Sequence, residues 1–188
     1  MNLRWVPSPN WDQRRRGVVD AIVLHYTALP LTETIARFRD RGAKVSAHFI
    51  VDRKGCVVQM VKTHRRAWHA GPSALGDRED VNDFSIGIEL VNWGLLRRKG
   101  SSLYVWKDGW SRLYSGEEPV KKGRDYWEPY TEEQYGALVE LIRVLRAEYP
   151  GITRERVTGH SEVCLPQERK MDPGAAFDWE RVLRGVFG

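Results

Sequence analysis

Residues 18–25, VVDAIVLH, form a mostly apolar, β-branched run interrupted by Asp20 and closed by a histidine. The pattern predicts a buried strand that delivers His25 at its C-terminal end. After Pro30, Thr32 stands where it would cap a short helix to about Arg41, with Ile35 and Phe38 inward and Gly42 as its stop. Two β-rich arms, 47–51 and 56–61, flank Asp52-Arg53-Lys54-Gly55 and predict a hairpin. Residues 85–92, SIGIELVN, alternate, so Ile86, Ile88 and Leu90 share one face while Ser85, Gly87 and Glu89 share the other.

The second half adds helices. Thr131-Glu132-Glu133-Gln134 is a capping-box sequence, and Tyr135, Leu138, Ile142, Leu145 and Tyr149 recur at helical spacing until Pro150-Gly151. A short strand around Val157 leads into Gly159-His160, followed by a polar, proline-bearing loop to Asp172-Pro173-Gly174. A final helix starts near Asp178, with Trp179, Val182, Leu183 and Val186 inward. Between the halves, residues 94–130 combine basic residues with Trp106, Trp110 and Trp127. So aromatic a stretch reads as an ordered insertion, with 103–106 in a strand pair. Strands and helices alternate throughout, which predicts one α/β domain over residues 1–188.

Composition narrows the function classes. The hydrophobic fraction of 41% and aromatic fraction of 11% exclude global disorder. No apolar run approaches the roughly 20 residues of a bilayer span, so no integral membrane segment is expected. The start, MNLRWVPSPNWDQRRRG, lacks the apolar stretch of a secretory signal, so the chain is expected in the cytoplasm as synthesised. Two cysteines, Cys56 and Cys164, are too few for a disulfide scaffold. A net charge of +5 favours a polyanionic or anionic partner. Nothing resembles a zinc finger or helix-turn-helix, so nucleic acid is not the expected partner.

His25 and His160 each follow an apolar run and open a loop, and a single histidine so placed is ordinarily structural. Glu89 is the stronger anomaly, because a carboxylate on a strand suited to burial must be solvated in a cleft, paired or chemically employed. Asp172 is either a turn former or an oxygen ligand. Together these residues offer two imidazoles, a third ligand, a spare carboxylate and the nearby Lys170. That set suits a catalytic Zn2+ with an open position, where the glutamate handles the water proton and the lysine opposes an oxyanion during amide hydrolysis.

The segments IVLHYTA, KVSAHFIVDRKGCVVQMV, RAWHAGPSALG, NDFSIGIELVN and GHSEVCLPQERKMDPGAAFDW arrive in an order that resembles the zinc-dependent N-acetylmuramoyl-L-alanine amidases of the amidase_2 family, AmpD-like branch. Phage lysozyme-type amidases and peptidoglycan recognition proteins share the wider family. The resemblance implies a central mixed β-sheet flanked by helices, with a zinc-bearing groove that takes a peptidoglycan or muropeptide substrate. It implies His25, His160 and Asp172 as metal ligands, and Glu89 and Lys170 as catalytic residues. Lysozyme-type relatives carry Cys at the third ligand, and Cys164 lies eight residues too early to fill that role. They also carry a tyrosine where this chain has Ala47, which leaves proton transfer to Glu89.

Trp68, His69 and Arg78 are candidate substrate contacts, with a core position for Trp68 and a solvated one for Arg78 as the alternative, whereas His48 reads as structural and His64 as a surface residue. Two departures from the AmpD-like pattern stand out, a longer His160-to-Asp172 loop and the 94–130 insertion. The alternative to an enzyme is a non-catalytic peptidoglycan-binding module. As an enzyme, the chain is expected either to recycle muropeptides or to act as an endolysin-type amidase that reaches the wall after holin-type release.

Overall fold

In a computed structural model that describes residues 3–107 and 110–188, the strands are β1 (Leu3–Trp5), β2 (Trp11–Gln13), β3 (Ala21–Tyr26), β4 (Phe49–Val51), β5 (Val57–Gln59), β6 (Arg65–Ala67), β7 (Ala74–Leu75), β8 (Arg78–Glu79), β9 (Ser85–Leu90), β10 (Leu95–Lys99), β11 (Ser102–Lys107), β12 (Trp110–Leu113), β13 (Val120–Lys122), β14 (Asp125–Trp127) and β15 (Val157–Gly159). The helices are α1 (Leu31–Arg39), α2 (Glu132–Glu148), α3 (His160–Val163) and α4 (Trp179–Phe187). The central sheet runs β1-β5-β4-β9-β3-β15. All its neighbours are parallel except the β4/β5 hairpin, which makes the sheet mixed.

Strand alternation decides the two faces. Ile22 and Leu24 of β3 and Ile86, Ile88 and Leu90 of β9 pack with Leu138, Leu141, Ile142 and Leu145 of α2 and Val182 and Val186 of α4. The opposite face carries the smaller Ala21 and Val23, packed with Ala70, Val81, Phe84 and Val163. Residues two apart share a face of a strand, so His25 and Glu89 stand on this second face. A pleated sheet cannot slip by one residue without exposing its large aliphatic side chains. The hydrophobic pattern therefore holds the polar residues in place.

Helix α2 carries the predicted cap: the Gln134 amide donates to Thr131 Oγ1 at 3.1 Å, and the Thr131 amide donates to Gln134 Oε1 at 3.2 Å. Helix α1 differs from expectation. Its N-cap is Pro30 with no side-chain cap, Thr32 is exposed, and the helix ends at Arg39. Thr34, not Thr32, bonds the helix start through its hydroxyl, which donates to the Pro30 carbonyl at 3.0 Å. His160 opens the single turn of α3 instead of a loop. The short β1, β2 and β6 carry no hydrophobic alternation long enough to announce them.

The insertion is more regular than expected. Its five strands form an antiparallel sheet in the order β12-β11-β10-β14-β13. Both ends of the insertion are tied down, because the Trp93 amide donates to Glu128 Oε2 at 2.6 Å and the Glu128 amide to the Gly94 carbonyl at 3.0 Å. No helix among the described residues is long and apolar enough to cross a membrane.

Candidate metal centre

Register assembles the centre. In the parallel β3/β9 pair His25 lies opposite Glu89, and in the β3/β15 pair Leu24 lies opposite Gly159. His160, the next residue, therefore emerges beside His25. Three adjacent parallel strands thus end together, and the C-terminal edge of such a sheet is where open α/β folds place their ligands. Asp172 comes from the loop after α3. The Ser161 amide donates to its carbonyl at 3.0 Å, and the Tyr130 hydroxyl donates to the Pro173 carbonyl at 2.7 Å.

His25 Nδ1 lies 2.9 Å from Asp172 Oδ2, His160 Nδ1 lies 3.0 Å from the same oxygen, and the two Nδ1 atoms are 3.0 Å apart. Among the described residues these three form the one group of histidine, cysteine and carboxylate side chains close enough to share a metal ion. All are buried.

The hydrogen-bond partners of the far ring nitrogens assign the protons. His160 Nε2 is 3.0 Å from the Ala70 carbonyl, which only accepts, so Nε2 carries a hydrogen, and in the neutral ring Nδ1 is the lone pair. For His25 the assignment passes through two further residues. The Ser85 hydroxyl donates to the Val81 carbonyl at 2.6 Å, so Ser85 Oγ accepts from His69 Nε2 at 3.2 Å. His69 Nδ1 is then an acceptor, and His25 Nε2 donates to it at 3.1 Å. His25 Nδ1 is left as a lone pair too.

Electrostatics agrees. Burial, reinforced by His160, pushes His25 down to about 4, so the ring is neutral at neutral pH. Burial alone would raise Asp172, but its contacts with His160 and His25 hold the carboxylate well below its usual range. Two imidazole nitrogens and one carboxylate oxygen thus converge within 3.0 Å of one another. A tetrahedral zinc site with one open position takes this donor set. The residues fit the metal.

Gly87 explains how His69 reaches its place. A Cβ at that position would lie 2.4 Å from His69 Cγ, so only glycine leaves room for the ring. The Gly87 amide donates to His48 Nδ1 at 3.0 Å, giving His48 the supporting role its sequence context suggested.

The cleft over this centre has a volume of about 440 Å³ and includes Glu89, His69 and Lys170 in its lining. Glu89 is only 9% exposed. Lys170 is exposed at the rim. The three candidate substrate contacts separate. His69 lies behind His25 as its hydrogen-bond partner, whereas Trp68 and Arg78 are not among the cleft-lining residues. Arg78 grips Asp20 through two bonds of 2.7 and 3.0 Å and stacks over Phe84 at 3.6 Å, which makes it a brace for β3. Residues that sequence reasoning passed over line the cleft instead: Tyr26, Arg37, Leu95 and Arg97. Tyr26 was legible as the residue after the strand-end histidine, but the two arginines carried no local signal.

Comparison with known proteins settles the family. The Amidase_2 family, N-acetylmuramoyl-L-alanine amidase, matches residues 14–175. The chain belongs to this family. It is 33% identical to the 1,6-anhydro-N-acetylmuramyl-L-alanine amidase AmpD of Haemophilus influenzae, over 98% of this chain and 92% of that protein. With the AmpD of Enterobacter cloacae the identity is 39%, over 96% of this chain and 88% of the relative. Among solved structures, a selenomethionine AmpD derivative superposes with a TM-score of 0.72 at 33% identity, over 98% of this chain and 94% of that one. AmiD from E. coli, solved in complex with the substrate anhydro-N-acetylmuramic acid-L-Ala-D-γ-Glu-L-Lys, gives 0.70 at 30% identity, over 94% of this chain and 61% of that one. This Amidase_2 chain is thus an N-acetylmuramoyl-L-alanine amidase of the AmpD-like branch.

Proposed function

We propose that this amidase uses Zn2+, held by His25 Nδ1, His160 Nδ1 and Asp172 Oδ2, to hydrolyse the bond between N-acetylmuramic acid and L-alanine in soluble muropeptides. The convergence of two imidazole nitrogens and a carboxylate oxygen within 3.0 Å of one another on the cleft floor carries the reading, because that is a metal-binding donor set. The metal when bound polarises the scissile carbonyl and acidifies water.

The chain's own residues do the rest. Glu89, on the strand beside His25, takes a proton from the attacking water and returns it to the departing alanine nitrogen. Hydrolysis thereby places the water oxygen on the lactyl carbonyl carbon and a hydrogen on the amine. Lys170 opposes the negative charge that grows on the carbonyl oxygen. His69 and Ser85 keep His25 in the tautomer that presents Nδ1.

Likeness to relatives named for the 1,6-anhydro sugar, matched over nearly their full length, supports soluble recycling fragments as the substrate. On this reading the enzyme works in the cytoplasm, without holin-type release. The test compares stem-peptide release from soluble anhydro-muropeptides and from intact sacculi, with chelator and with zinc restored. Faster turnover of the soluble fragments, lost to chelator and regained with zinc, is expected. Binding of muropeptide without release of peptide under every condition would instead identify a non-catalytic binding module.

A further inference from the structure

The inserted sheet enters the cleft. Leu96 of β10 and Val105 of β11 lie opposite each other and are 2% and 1% exposed, so they fix which face of β10 is buried. The alternate residues, Leu95 and Arg97, consequently lie on the other face, and both line the cleft over the metal centre. Trp127 of β14 pairs with Leu95 and packs against Gly174, two residues beyond Asp172. Gly174 has φ +85°, and a Cβ there would lie 2.5 Å from the Trp127 ring, so the sheet is seated on the loop that holds the third ligand. On its far side Arg112 reaches Glu33 of α1 at 3.5 Å, one helical turn before Arg37, which also lines the cleft.

The arginines of this region divide into two groups. Arg53 binds Glu117 and the Pro129 carbonyl, Arg98 binds the Gly100 carbonyl and Tyr126, and Arg112 has Glu33. Arg37 and Arg97 are exposed and form no ion pair among the described residues. With Lys170, and with Arg169, whose guanidinium is held by the Ala70 and Pro72 carbonyls, they give the cleft four cationic side chains, against only Glu89 and Asp172. A site with this balance takes an anion, and guanidinium groups bind carboxylates through paired hydrogen bonds.

We propose that Arg97, supplied by the inserted sheet, and Arg37, supplied by α1, form a specificity subsite that binds free carboxylates of the stem peptide. This rests on the amidase reading of the site and extends it from the bond cleaved to the charge of the substrate. The insertion thereby serves selection, not only coverage of the core.

The test uses two soluble muropeptides of the same glycan and peptide sequence, one with free peptide carboxylates and one with all of them converted to carboxamides. KM and kcat are measured on the zinc-loaded protein for the wild type and for Arg97→Gln, Arg37→Gln and the double variant. Binding is measured separately by calorimetry in a Glu89→Gln background. The wild type should favour the free acid by about tenfold or more in KM. Arg97→Gln should erase most of that preference through KM and Kd, with kcat within about twofold, and the double variant should remove the remainder. Arg98→Gln, one residue along on the opposite face, should keep the wild-type preference.

A wild type indifferent to amidation would overturn the proposal, as would Arg97→Gln with an unchanged KM ratio. Failure of the wild type to cleave either muropeptide would count instead against the amidase reading.

Discussion

In the six-stranded sheet, the polar residues at the strand ends are buried, and each far ring nitrogen has its partner: His25 on His69, His69 on Ser85, His160 on the Ala70 carbonyl. In the five-stranded sheet, the residue that reaches the same cleft, Arg97, is exposed and without an ion pair among the described residues. The first arrangement fixes protons and lone pairs to within one hydrogen bond, as a metal site requires. The second leaves a long flexible cation free to meet a charged ligand. On the proposed readings, chemistry is built where packing over-determines the side chain, and selection where it does not.

The sharpest way to break this contrast is to remove a donor from the buried centre. Asp172→Ala should lower bound zinc from about one per chain to near zero, whereas Cys164→Ala, whose thiol is buried outside the cluster, should keep it. Metal analysis of the two purified variants decides the matter, and the reverse order would refute the ligand set. Glu89→Gln should hold zinc normally and lose about 10²–10⁴-fold in kcat; an unchanged kcat would remove Glu89 from proton transfer.

Ser85→Ala probes the tautomer chain without touching a ligand. Zinc affinity, measured by chelator competition, should fall by about 10–100-fold, and Gly87→Ala should do at least as much by displacing His69. Wild-type affinity in both variants would show that the ring's tautomer is held by other means.

Acid tests the same buried imidazoles as a group. Burial pushes His48 down to about 3 and His25 to about 4. Below about pH 6.5 the unfolded chain therefore binds protons that the native state refuses. Stability is full above that pH and declines as pH falls, by about 1.4 kcal/mol per pH unit for each such histidine until its native pKa is reached. Urea midpoints between pH 7.5 and 4.5 should show this slope, and His48→Gln should reduce it. A flat profile would mean that the rings accept protons in place.

The smallest effect belongs to Arg78, which binds Asp20 and is not among the cleft-lining residues. Arg78→Ala should cost about 1–3 kcal/mol of stability through its lost bonds to Asp20, with KM unchanged. A raised KM at unchanged stability would return Arg78 to the substrate.

Much of the centre was legible along the chain because each element announced itself locally. The β-branched run ending in His25 and the alternation that set Glu89 opposite three aliphatics needed no knowledge of neighbours, whereas Asp172 read locally as either a turn former or an oxygen ligand and the ligand set came from the resemblance. Helix α2 was equally plain from its capping box and period. Arg78 stayed ambiguous because an arginine beside a loop looks the same whether it faces substrate or Asp20. The three-residue strands β1, β2 and β6 were hidden because so short a run has no resolvable period.

By itself the sequence determined the α/β order of elements, the faces of β3 and β9, and the donor types available for a metal, since all of these depend on residue chemistry and spacing within one segment. Only the tertiary structure decided which far nitrogen meets which acceptor, that His69 stands behind His25, and that a sheet inserted 70 residues after His25 returns Arg97 to the same cleft. Those facts depend on parallel register and on packing between distant segments. No local pattern encodes them.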